Sequence, residues 1–322
     1  MKFKQLTMKT PLPAWRASIP VFALAEPPLQ ARRATARKLA DHFKLGDLRE
    51  VDLAHGHLLG SARGDITVFH ASGALWARDA MATADAKDEW RDWPGLASAT
   101  SGADLALSPE AAKRLSTTVV NLLRPLELLG HEAGPATVQL EQVAMLDAKG
   151  KTLKRGAGQA TVKFGYTVEG VAARGAGAKT LAFAEPGGAS TSAARIAGVF
   201  HAWRQPGTAV AVKLPSLEAA LAVALLQDPE LDRFAESGHA VELTRLELVY
   251  LALPAFMRQS HLFPVIQVEG EVGKGKLGEG FRFARFHHVV SPQTYAEAGL
   301  HGAYLTLNPD GIAPRPTRAQ LS

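Results

Sequence analysis

The chain has 322 residues, 47% of them hydrophobic and 21% charged, enough apolar material for a sizeable core and about two ordered domains. Thirty-six Lys and Arg against 31 Asp and Glu leave a net charge of +5 with no block of like charges, which argues against a polybasic nucleic-acid arm. Zero cysteines exclude disulfides, thiol nucleophiles and thiolate-bound metals.

No apolar run reaches the length of a bilayer-spanning helix; the richest, Leu217 to Leu226, is short and rich in alanine. Lys2, Lys4 and Lys9 precede an apolar stretch from Ala17 to Ala25 that closes on Ala23-Leu24-Ala25, the order of a secretory leader. Arg16 and Pro20 cut into it, and Ile19 to Leu24 alternates as a first strand does. Leader and strand both stand as readings, and with them an extracytoplasmic or a cytoplasmic location. Behind Pro27-Pro28, the spacing of Leu29, Ala36, Leu39, Ala40 and Phe43 predicts a helix ending before Gly46. Glu50 to Leu53, Asp65 to Phe69 and Leu75 to Arg78, punctuated by glycines, predict a small antiparallel sheet. Met81 to Ala106, with Trp90 and Trp93 as its large anchors, predicts a connecting segment.

Ser108, a capping serine ahead of Pro109, opens a second helix through Leu123, and Thr137 to Leu146 follows as a strand. The plan recurs from Leu214-Pro215-Ser216 through a helix to Leu226 and a strand from Glu242 to Leu253. Between them lie strands at Thr161 to Glu169, Lys179 to Phe183, Ile196 to Trp203 and Ala209 to Lys213. Phe263 to Val272 and Gly280 to Val290 close the chain as a hairpin. Val138 to Leu146 resembles Leu243 to Leu251 in pattern, so internal duplication stands beside chance likeness of amphipathic segments. The expected fold class is α+β, with antiparallel sheets each packed by a helix. Three segments are expected: residues 1–106, a strand-helix-sheet module with linker; 107–213, a central α+β module; and 214–322, a C-terminal α+β module with hairpin.

Local patterns carry a family resemblance. The helix starts Ser108-Pro109-Glu110-Ala111 and Pro215-Ser216-Leu217-Glu218-Ala219, the strand Phe263-Pro264-Val265-Ile266-Gln267-Val268-Glu269-Gly270, and the strand-turn-strand succession from Tyr166 through Gly175 and Gly177 to Trp203-Arg204 resemble PepSY-type modules. Such modules occur in propeptides of thermolysin-like proteases and in extracytoplasmic regulators of bacterial sensor kinases. The resemblance covers mainly residues 107–290. It implies duplicated PepSY-like modules, an extracytoplasmic location and a non-catalytic protein that binds or inhibits a protein partner, and it brings no catalytic residue.

The residues that carry chemistry are sparse. Gly273-Lys-Gly275-Lys-Leu-Gly278 matches a dinucleotide glycine motif literally, but Phe281-Arg-Phe-Ala-Arg-Phe after it is a strand, where a phosphate site needs a helix N-terminus. His55 and His57 share a strand face, with Asp52 and Asp65 near in sequence, yet no metal-ligand helix motif occurs. Ser190-Thr191-Ser192 lacks the context of a serine nucleophile. No cofactor and no metal are expected. The most informative set is aromatic and basic: His201, Trp203, Arg204, Tyr250, Arg258, His261, Arg282 and Arg285. Arginine and aromatic side chains together suit a peptide or anionic partner, and the same residues also suit a core with solubilising edges. The leading expectation is a non-catalytic binding or regulatory protein that engages a protein or peptide partner through a sheet face or edge, with nucleic acid not favoured and oligomeric state open. The alternative is an enzyme with an inter-module pocket built from His201, Arg204, Tyr250 and His261, which requires those four side chains to converge.

Overall fold

The computed structural model describes residues 6–80, 93–97, 105–186, 194–226, 239–273 and 280–304. In chain order its elements are β1 (Leu6–Met8), β2 (Ser18–Leu24), α1 (Leu29–His42), β3 (Arg49–Leu53), β4 (Gly56–Ser61), β5 (Gly64–Phe69), β6 (Leu75–Asp79), β7 (Leu96–Ala97), β8 (Ala106–Leu107), α2 (Pro109–Leu123) and β9 (Thr137–Leu146). They continue with β10 (Thr152–Val168), β11 (Val171–Arg174), β12 (Lys179–Glu185), β13 (Arg195–Ala202), β14 (Pro206–Lys213), α3 (Leu217–Leu226), β15 (Val241–Leu251), β16 (His261–Val272), β17 (Phe281–His288) and α4 (Pro292–Glu297). The glycine motif after Gly273, the serines at 190–192 and most of the connecting segment at 81–106 lie outside the described residues.

Local chemistry accounts for the elements. The Ser108 hydroxyl accepts from the Ala111 amide at 3.2 Å, Pro109 occupies the first turn, and Ala111, Leu115, Val119 and Leu123 recur at four-residue spacing on the buried face of α2. Period-two alternation defines the strands: in β5, Gly64, Ile66 and Val68 are buried between half-exposed neighbours.

The expected α+β architecture of antiparallel sheets, each packed by a helix in duplicated PepSY-like modules, is overturned. Fifteen strands form one hydrogen-bonded array in the order β14-β2-β16-β15-β11-β10-β12-β13-β6-β5-β4-β3, with β1 on β15, β17 on β16 and β9 on β10. The array is mixed, because β1 and β11 both run parallel to β15. The physical reason is strand length. The 17-residue β10, roughly 55 Å when extended, pairs with β9 and β12 along one part and with β11 at its end, which fuses what were read as separate sheets. The two strands read as repeat partners are not equivalent either: β9 is bonded to β10 alone, whereas β15 has β1, β11 and β16 as neighbours.

Two apolar cores sit along this array. In the first, α1 and α2 cover strands around Leu59, Ile66, Leu75, Val162 and Val199. In the second, β2 joins residues from the C-terminal third, with Ile19 packed among Tyr250, Phe263, Val265 and Ile266. One face of β10 serves both: Val162 and Phe164 belong to the first core, Tyr166 and Val168 to the second.

Where the cores meet, the turn after β11 lies against the chain leaving β15. A Cβ on Gly177 would stand 2.1 Å from the Leu253 carbonyl oxygen, whereas one on Gly60 would meet nothing within 4 Å. Gly177→Ala therefore lowers unfolding stability by ~1–3 kcal/mol or more, and Gly60→Ala changes it by less than about 0.5 kcal/mol. Urea denaturation of the two variants checks this; equal effects would show that the close approach at Gly177 is not tight.

Candidate functional site

Of the residues singled out in the sequence, His201 is buried among polar neighbours. The Tyr166 hydroxyl stands 2.6 Å from Thr180 Oγ1, which stands 2.8 Å from His201 Nδ1, and Tyr166 also donates to the Leu128 carbonyl at 3.3 Å. All three side chains are buried. Burial first, and the Arg32 cation second, hold the His201 imidazole neutral, well below its ordinary range. Burial likewise raises the Tyr166 phenol to about 12. Trp203 is stacked face to face on Tyr166, with ring centroids 4.4 Å apart and planes within 3°.

Arg204 is occupied elsewhere. Its Nη1 donates to the Leu253 carbonyl at 3.0 Å and to Gln259 Oε1 at 3.3 Å, and its Nη2 donates to the carbonyls of Pro254 and Met257. Burial lowers its pKa to about 10. The Tyr250 hydroxyl donates to the Pro20 carbonyl at 2.7 Å, joining β15 to β2. His261 is half-buried beside the Ser260 hydroxyl at 3.0 Å. Arg258 is exposed on the loop before β16. Arg282 pairs with Glu271 at 2.6 Å on the surface, and the Arg285 guanidinium lies over the Phe283 ring at 5.8 Å. The side chains of His201, Arg204, Tyr250 and His261 thus have different hydrogen-bond partners, and none of the four is bonded to another. Three clefts, lined by residues including Gln142, Arg195 and Trp93 respectively, open among the described residues, and none of the four borders them. His57 is engaged by Asp52 at 2.8 Å and Glu50 at 3.3 Å, and no group of three or more His, Asp or Glu among the described residues is placed to hold a metal ion.

The surface that the structure singles out is a strand edge. Among the strands of five or more residues, β3, β9, β14 and β17 each have a bonded strand on one side only; the three-residue β1 is bonded to β15 alone, and β7 and β8 pair only with each other. A naked edge is a template for another strand, and charge or cover blunts it. On β3, Glu50 and Asp52 are tied to Arg37 and Arg33 of α1, each at 3.0 Å. On β9, the Gln142 side chain clasps both the amide and the carbonyl of Leu105. β17 carries Arg282 and Arg285. β14 carries Pro206 and a register shift between Pro206 and Ala209 at one end and Lys213 at the other, but Gly207 to Val212 is without charge, Gly207 to Ala211 are exposed, and Val210 keeps 39% of its surface in water. None of its residues was singled out in the sequence, where the available signal is only an uncharged run of Thr, Ala and Val after Pro206-Gly207.

No family model and no curated protein sequence matches the chain. A crystal structure of an uncharacterized protein from Eubacterium rectale ATCC 33656 is similar over 89% of this chain and 90% of its own, with a TM-score of 0.52 at 11% identity. At that identity the likeness is one of fold. No helix among the described residues is long and apolar enough to cross a membrane.

The buried groups generate two predictions. The unfolded chain protonates His201 below its ordinary value of about 6.5, while the folded protein keeps it neutral, so its contribution to stability is intact above that pH and is lost as pH falls below it. His42 and His261, also lowered by burial, act in the same direction. His201→Gln, although less stable at pH 7, therefore loses less stability between pH 7 and 5, by up to ~1.4 kcal/mol per pH unit for the one proton removed. Parallel pH slopes in urea titrations of the two proteins would refute a buried neutral His201. Arg204→Lys, which cannot fork between four acceptors, destabilises the protein by ~3 kcal/mol, and thermal unfolding no more affected than by a surface Arg258→Lys would contradict that.

Proposed function

We propose that this protein is a non-catalytic binding protein that takes up an extended segment of a partner protein as an added strand along β14. One observation carries the reading: among the one-sided strands of five or more residues, β14 has the longest exposed stretch without charge, Gly207 to Ala211. Strand addition draws its affinity from main-chain hydrogen bonds and its selectivity from alternate side chains. The exposed side chains here are small or β-branched, Thr208, Ala209, Val210 and Ala211, so a partner segment that is itself uncharged and β-branched fits beside them. The underlying strand is held firmly, because β14 pairs with β2 from Pro206 to Lys213, and β2 is fixed in the second core by Ile19 and Val21.

The test is a displayed peptide library selected on the full-length protein, followed by calorimetry with the synthesised winners and hydrogen exchange of the protein. Saturable one-to-one binding is expected, with slowed exchange confined to β14 amides. Val210→Lys lowers the affinity tenfold or more, and Val51→Lys on the guarded edge β3 leaves it unchanged. The proposal is overturned if no peptide saturates, if both variants bind alike, or if sedimentation shows a dimer that Val210→Lys dissolves, since the edge is then filled by a second copy.

A further inference from the structure

A cleft of about 820 Å³ opens between the C-terminal end of α1, the second half of α2 and the ends of β6 and β13. Its apolar side is formed by Phe43, Leu122, Leu126 and Ile196. Lys38, Lys44 and Arg63 stand at its exposed rim, and none of them has an ion-pair partner among the described residues. Arg37, Arg78 and Arg282, by contrast, each hold a carboxylate. Among the described residues the one carboxylate lining the cleft, Asp79, is buried and bound to Arg195 at 2.6 Å, so it is not paired with the three rim cations. Thr118 and Asn121 of α2 add uncharged hydrogen-bonding groups. Cations of one sign around a recess with apolar walls concentrate a positive potential inside it, and the volume lies in the range of small-molecule sites.

We infer that this cleft binds a small organic anion, whose anionic head meets Lys38, Lys44 and Arg63 and whose apolar body lies on Phe43, Leu122, Leu126 and Ile196. The site is independent of the β14 edge: it belongs to the first core, and no residue is shared between them. Both halves of the ligand are required by the lining. An inorganic anion leaves the apolar wall wet, and an uncharged aromatic leaves the rim unneutralised.

Calorimetric titration of the full-length protein with 1-naphthyl phosphate, 1-naphthol and inorganic phosphate, each at low and high salt, tests the inference. The expected result is one saturable site for 1-naphthyl phosphate that weakens as salt rises, with the other two probes binding at least tenfold more weakly. The double variant Lys38→Ala/Arg63→Ala, which removes exposed side chains, keeps its circular dichroism spectrum and loses tenfold or more in affinity; Lys163→Ala on β10 changes nothing. Absence of saturation by 1-naphthyl phosphate at millimolar concentration, equal binding of 1-naphthol, or undiminished affinity in the folded double variant would each overturn it.

Discussion

The guanidinium of Arg204 is a cation removed from water with no carboxylate partner among the described residues, held instead by three carbonyls and the Gln259 amide oxygen. Burying such a charge costs several kcal/mol unless its donors are met, so the acceptors must be delivered in fixed positions. Gln259 does that work on both sides: its Oε1 accepts from the Leu253 amide, and its Nε2 donates to the carbonyls of Leu251 and His261. The loop between β15 and β16 is thereby closed around the end of β13. A neighbouring bond, Ser72 Oγ to the Ala255 carbonyl at 2.6 Å, ties the same loop to the turn between β5 and β6. The two cores are registered against one another by these polar contacts as well as by apolar packing.

Tyr166 is the second element of that junction, and its position on β10 explains why polar groups are needed there. The buried face of β10 passes from one core to the other between Phe164 and Tyr166, and a purely apolar interface at that point would leave the relative placement of two cores poorly specified. The Tyr166–Thr180–His201 chain fixes it, since each member is buried and has few ways to satisfy its hydrogen bonds. A neutral His201 serves this purpose better than a charged one, which would face the Arg32 cation without a counter-ion.

Much of the local structure was legible in the sequence, because the signals that set it are local. Ser108-Pro109 announces α2, and alternation marks β5 and β15. The order of the strands was not legible. Val138 to Leu146 and Leu243 to Leu251 have similar patterns, yet β9 is mostly exposed on an edge while β15 is mostly buried among three neighbours. Amphipathic alternation states that a strand has a buried face and says nothing of which strand lies beside it. The same limit governs the polar residues. Arg204 and His201 read as binding groups because those residue types so often are, but their partners at Leu128, Tyr166, Thr180 and Leu253 to Gln259 come from distant parts of the chain.

The surface follows the opposite logic, and β3 and β14, at the two ends of the strand order, display it. If β3 paired with a copy of itself in antiparallel register about Val51, Glu50 would face Asp52, a like-charge contact that opposes association. The same operation on β14 about Val210 places Ala209 against Ala211 and Thr208 against Val212, with no charge opposed. One end of the array is therefore protected against indiscriminate pairing and the other is left permissive. Permissiveness at an edge is a liability in a protein that must remain alone, and under the proposed strand addition it is the property by which β14 admits a partner segment.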